Sequence, residues 1–193
     1  MVKILGIVGS PRKGGNTEIM VREALEAAQK AGAETELILV VDKNISPCDA
    51  CGACEENGIC KIKDDMQMIY QQLKSADGII FGTPVYFINV SAQAKAIIDR
   101  TYAFLRTREL RGKVAAALVV ARRVGAGQVL SILYSYFTIH RMLIAGGGIG
   151  YGRGKGEVKT GVGGSPTLSA LEEARAVGRN VVSLVERLSK TNK

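Results

Sequence analysis

Apolar runs of strand length recur along this chain, and a stretch with helical spacing follows each of them. Val2–Val8, Glu36–Val41, Gly78–Phe81, Lys113–Val120 and Met142–Ala145 read as strands. Their apolar residues run nearly unbroken rather than alternating with polar ones, the pattern of strands covered on both faces. Helical spacing marks Thr17–Ala31, a stretch from Asp64 as N-cap to Ser75, Ser91–Phe104 and residues 127–140. A last helix starts near Pro166 and runs to Leu188. Such alternation calls for parallel strands joined by right-handed crossovers, with helices on both faces. The expected fold is therefore α/β, a doubly wound five-stranded parallel sheet of order 2-1-3-4-5, in a single domain over residues 1–193. Two segments interrupt the alternation: a cysteine-rich insertion at 42–63 and a glycine-rich loop at 146–165.

Ligands of such sheets sit at the carboxyl ends of the strands, here between the first and third. The loop after the first strand is Ser10-Pro11-Arg12-Lys13-Gly14-Gly15-Asn16-Thr17. Ser10 and Thr17 supply hydroxyls, the glycines allow close backbone approach, Arg12 adds charge, and a helix start offers unpaired N–H groups. That set suits a phosphate. No lysine and hydroxyl follow the glycines as in a nucleoside-triphosphate loop, and G-x-G-x-x-G is absent, so a mononucleotide fits better than a dinucleotide. After the third strand, Thr83 and Pro84 lead into Val85, Tyr86 and Phe87, which suit a flat ring, and Asn89 can bond a ring edge. A phosphate loop beside a ring platform describes a flavin mononucleotide (FMN) site. The plainer alternative is a polar turn beside ordinary core aromatics.

All four cysteines, Cys48, Cys51, Cys54 and Cys60, fall in "SPCDACGACEENGIC" with spacing C-x2-C-x2-C-x5-C. Two disulfides match the even count but not the compartment argued below. Zinc accepts four thiolates, but usually from two well-separated C-x2-C knuckles. Three thiolates at successive short spacing with a fourth nearby fit an iron–sulfur cluster better, and Ala50, Gly52, Ala53 and Gly58 keep the chain compact around it. The segment follows the second strand, so it is expected on the same rim as the two ligand loops.

"GSPRKGGNTE" and "ADGIIFGTPVYFINVSAQAKAIIDR" resemble the NADPH-dependent FMN reductase group of flavodoxin-like proteins. With the cysteine segment added, the chain is similar more narrowly to the iron–sulfur flavoproteins. The resemblance implies FMN held by Ser10, Arg12, Asn16, Thr17, Thr83, Pro84, Val85, Tyr86 and Phe87. It also implies a third flavin-facing loop at about Ala121–Gly127, with contacts at Arg122, Arg123 and Gly125. There "ARRVGAGQV" departs from the Gly-Gly-Gln-Glu run of relatives. One [4Fe–4S] cluster on the four cysteines, a ferredoxin-like electron donor with NAD(P)H as a second candidate, and assembly as a homodimer or homotetramer complete the implied picture.

The net charge of +8 suits an acidic protein donor or a phosphate-bearing ligand. With aromatics at 5% and no tryptophan, little is available to stack on exposed bases, so no nucleic-acid partner is expected. The N-terminus lacks the parts of a signal peptide, and no stretch reaches the ~18 apolar residues of a membrane span, so a cytoplasmic protein without membrane contact is expected. His140 is the sole histidine and reads as structural, and no acid–base catalytic set is assembled around it.

Overall fold

The computed structural model describes residues 1–159 and 169–191. Strands β1 (Lys3–Val8), β2 (Glu34–Leu39), β3 (Gly78–Pro84), β4 (Val114–Ala121) and β5 (Leu143–Tyr151) form one parallel sheet in the order β2-β1-β3-β4-β5. Helices α1 (Asn16–Lys30), α2 (Met66–Ser75), α3 (Ala92–Arg100), α4 (Ala126–Ile139) and α5 (Ala170–Thr191) cover it. The expected order and layering are those found.

β4 shows how the sheet divides two cores. All eight of its residues are buried. Ala115, Ala117, Val119 and Ala121 point into a core shared with α2, α3 and α4, while Val114, Ala116, Leu118 and Val120 join α1 and α5 on the other face. The two-residue period of a strand delivers each set to its own layer. On the α1–α5 side the helices come very close: a Cβ at Gly178 would lie 2.0 Å from the Ala24 carbonyl oxygen.

β5 is longer than the sequence suggests. The run after Ala145 is strand, not loop, as far as Tyr151, with a register shift opposite Ala115 and Ala116. Its glycines are needed because neighbours press on the strand. A Cβ at Gly147 would meet the Tyr134 hydroxyl at 2.6 Å, and one at Gly150 the Met20 sulfur at 2.5 Å. The glycine-rich loop therefore begins at Gly152, and its stretch from 160 to 168, with the expected helix start at Pro166, lies outside the described residues. α5 is described from Ala170, and Ser169 caps it. The Ser169 hydroxyl accepts from the Glu172 N–H at 3.2 Å, and the Glu172 carboxylate accepts from the Ser169 N–H at 2.9 Å, a reciprocal capping box.

Other boundaries move by a few residues. β2 runs from Glu34 and stops at Leu39, because Val40–Asp42 turn into a 3-10 helix. Asp64 is not the cap residue of α2, which is Asp65. It nevertheless accepts from the Met66 N–H at 3.1 Å, and its remaining lone pairs serve the buried ion pair described below. The Ser91–Phe104 helix is α3 followed by a 3-10 turn at Thr101–Phe104. No described helix is long and apolar enough to cross a membrane.

Candidate functional site

At the carboxyl end of β1 and β3 lies a cleft of ≈ 330 Å³, near the lower end of ligand-pocket sizes. Ser10, Arg12, Asn16 and Thr17 line it from the first loop, Pro84, Val85, Tyr86 and Phe87 from the second, and Arg122 from the third. Among the described residues no side chain caps α1; the Gly15 N–H turns back to the Arg12 carbonyl at 3.2 Å, and the first-turn N–H groups at Asn16 and Thr17 are left to the cleft. Arg12, Arg122 and Arg153 are exposed around it. A positive rim over an uncapped helix start favours an anion.

The first loop is shaped by its own hydrogen bonds. The Ser10 hydroxyl accepts from the Arg12 N–H at 3.2 Å, and the buried Glu18 carboxylate accepts from the Gly14 N–H at 2.6 Å while pairing with Arg22 at 2.8 Å. Asn16 bonds the loop after β5 through both ends of its amide, donating to the Gly154 carbonyl at 2.9 Å and accepting from the Gly156 N–H at 2.7 Å. Glu18 and that partner loop, with Gly152 and Arg153 on the cleft wall, did not emerge from the sequence. Nothing in the local pattern of Glu18 separates it from a surface helical glutamate.

Two predicted residues stand back from the cleft. Thr83 is fully buried, and its hydroxyl donates to the Pro84 carbonyl and accepts from the Ser91 N–H. Asn89 turns its amide oxygen to its neighbour's Val90 N–H at 2.8 Å. Arg123 and Gly125 lie outside the lining as well. Ser91 instead ties the loops together: its hydroxyl caps α3 at Ala94 and donates to the Gly9 carbonyl.

The second loop closes as a tight hairpin, with Tyr86 and Asn89 exchanging both backbone hydrogen bonds at 2.9 and 3.0 Å. Its two central residues, Phe87 and Ile88, hold φ of +49° and +59°. A β-branched side chain is strained there. Phe87 is wholly exposed at the tip.

The cysteines form a second site. Cys48, Cys51, Cys54 and Cys60 are free thiols that line one cavity of ≈ 500 Å³. Among the described residues no three His, Cys, Asp or Glu side chains converge on a metal-ion position. Burial pushes the Cys54 thiol up, and the neighbouring Cys60, Cys48 and Cys51 add to this. The chain coils tightly, with Ala50, Gly52 and Gly58 at positive φ. Lys61 pairs with Asp49 at 3.2 Å across its outer edge.

Arg100 closes the base of this segment. Its guanidinium makes a two-pronged bond to Asp64, at 2.6 and 3.0 Å, and reaches the Ser46 carbonyl at 2.8 Å and the Ile62 carbonyl at 3.4 Å. Burial alone would raise the Asp64 carboxyl, but Arg100 and the Ser46 and Met66 N–H groups hold it below the usual carboxylate range. Gln67 adds bonds to the Cys60 and Ile62 carbonyls.

The sequence places the cysteine segment on the flavin-loop rim; its start is tied there, Asp42 pairing with Lys13 of the first loop at 3.0 Å, while the cysteine cavity has a lining of its own. The cavity abuts Asp99, Arg100, Tyr102 and Ala103 at the C-terminal end of α3, whereas the cleft lies near its N-terminal end at Ser91. Among the described residues the two linings share no member. From the rim the long segment runs along the flank of α3 as far as Tyr102 and Ala103.

The family model for NADPH-dependent FMN reductase matches residues 2–153. A Methanocaldococcus jannaschii protein named iron–sulfur flavoprotein is 41% identical, over 98% of this chain and 100% of its own length. The chain belongs to the iron–sulfur flavoproteins of the FMN reductase family. A Methanosarcina thermophila iron–sulfur flavoprotein is 42% identical over 75% of this chain and 78% of its own. The fold also matches the structure of RosB with bound 8-demethyl-8-formylriboflavin-5'-phosphate, with a TM-score of 0.80 and 18% identity, over 100% of this chain and 82% of that one. Membership supports FMN as cofactor and a flavoprotein role in electron transfer.

Proposed function

We propose that this chain is an electron carrier that holds FMN in the cleft and one [4Fe–4S] cluster on Cys48, Cys51, Cys54 and Cys60, and that it is reduced by a ferredoxin-like one-electron donor. The observation behind this reading is the pair of separate sites: an anion-favouring cleft at the switch point, and four free thiols on one cavity. FMN supplies exchange of one or two electrons, and a cluster supplies one at a time. The residues fit both groups. Ser10, Thr17, Arg12 and the start of α1 would hold the phosphate, while Pro84, Val85, Tyr86 and Phe87 would bound the ring. The thiols line a space far wider than one ion, which matches a multi-atom group better than zinc. The protein's task is then to fix positions and potentials and to exclude water. The proposal includes a homodimer or homotetramer and a cytoplasmic setting.

The second reading is an NAD(P)H-dependent FMN or quinone oxidoreductase without a functional cluster. It draws on the family description and on the lack of three converging ligands among the described residues. Anaerobic purification with iron, sulfide and flavin assays separates the two. Cys54→Ala is expected to lose iron and sulfide but keep FMN. Equal loss of FMN, or unchanged iron, would sink the assignment. Stopped-flow reduction by NADPH as fast as by reduced ferredoxin would favour the second reading.

A further inference from the structure

Among the described residues two buried side-chain polar atoms have no hydrogen-bond partner, the Gln72 amide oxygen and the Arg100 Nε, and only the second carries a charge. Arg100 is 1% exposed, and its two terminal nitrogens are fully engaged by Asp64, Ser46 and Ile62. Its Nε–H finds no hydrogen-bond partner among the described residues. Leaving a charged donor unsatisfied is costly, and such groups in native proteins point to something that occupies the space beside them. Arg100 lines the cysteine cavity, and its charge interacts with Cys60. The Tyr70 hydroxyl stands beside both Cys60 and the Arg100 guanidinium, but its proton goes to the Arg100 carbonyl oxygen at 2.7 Å and its oxygen makes no well-formed bond with Nε–H. The Nε–H is the donor left over.

We propose that the Arg100 Nε–H donates a charge-assisted hydrogen bond to an anionic sulfur of the group held at Cys60, and that it thereby raises the potential at which that group is reduced. This rests on the cluster reading above. The physics is direct. Reduction adds negative charge to the sulfurs, and a fixed positive donor stabilises that charge most in a site screened from water. The fork to Asp64 holds the guanidinium plane still, so Nε does not swing to another acceptor. Arg100 is therefore a positioning and tuning residue. Its distinct part is Nε, while the terminal nitrogens tie the loop ends together.

The test uses the full chain, loaded anaerobically with iron and sulfide and grown with arginine carrying ¹⁵N at Nε. Pulsed electron paramagnetic resonance of the reduced protein should show coupling to one arginine nitrogen, and Arg100→Lys should abolish it. That variant keeps a positive charge but loses the bond, so its midpoint potential should move negative at unchanged iron per chain. Asp64→Asn loosens the same clamp and leaves Nε in place. It should release iron faster while its potential moves positive, since a carboxylate charge is gone. Absence of arginine coupling in the loaded wild-type chain overturns the proposal even if neither variant folds. So does an Arg100→Lys potential equal to wild type, or a negative shift in both variants. A wild-type chain that takes up no iron overturns the cluster reading itself, and this proposal with it.

Discussion

His140 offers a measurement that the rest of the chain cannot confuse, because it is the sole histidine. It lies 6% exposed at the end of α4, with its Nε2 3.1 Å from the Thr101 hydroxyl and its ring against the edge of Tyr136. The Thr101 hydroxyl already donates to the Ile98 carbonyl at 2.7 Å, so Nε2 carries the proton and donates to it. Burial pushes the imidazole down from 6.5 to about 4. The folded state therefore favours the neutral ring, and the unfolded chain takes up a proton first. Stability from this source is complete above pH 6.5 and falls as the pH drops toward 4. Below that, both states carry the proton and no further loss follows. A shift of this size corresponds to ~3 kcal/mol. Urea unfolding of wild type and His140→Gln between pH 4 and 7.5 reads it out. The variant is less stable at pH 7.5, because a hydrogen bond and packing are lost. Its deficit should shrink by ~3 kcal/mol on the way to pH 4. The imidazole resonance of the native chain should titrate near the lower end of that interval. A constant deficit, or a resonance titrating near 6.5, would refute the reasoning.

Gly178→Ala places a methyl group where the Ala24 carbonyl oxygen stands, and it should cost ~3 kcal/mol by forcing α1 and α5 apart, read as a fall in the thermal midpoint. Ile88→Gly should raise the stability of flavin-free protein by ~1 kcal/mol, since it relieves the left-handed strain, and should weaken FMN binding as the tip loosens. Arg12→Gln should weaken FMN about tenfold, as expected for one lost charged contact, and leave riboflavin binding unchanged, since riboflavin lacks the phosphate. Fluorescence titration with both flavins checks it, and equal effects on the two would remove the phosphate role.

Sheet order, both loops of the cleft and the grouping of the cysteines follow from local signals. Unbroken apolar runs mark buried strands, and Ser, Gly and Thr after the first of them mark an anion site. Much of what escaped depends on distant partners. The glycines from 146 onward resemble a loop, because nothing near them in sequence announces that Tyr134, Leu118 and Met20 press on that strand. Thr83 and Asn89 carry the right chemistry for a ligand, yet bonds to backbone groups a few residues away engage the Thr83 hydroxyl and the Asn89 amide oxygen. Arg100 reads as one more helical arginine until the fold sets Asp64 beside it. The course of the cysteine segment down α3 was equally hidden, since strand order fixes only where a long insertion departs.

That course also bears on how the protein would be served by two reactants. The nine residues of α3 place ~13 Å of helix between the switch-point cleft and the cysteine flank. A bulky protein docked against the cysteines would leave the cleft mouth open to a small acceptor. Both could be bound at once, so turnover should pass through a ternary complex, and double-reciprocal plots should intersect rather than run parallel. Neither visitor would have to leave before the other arrived.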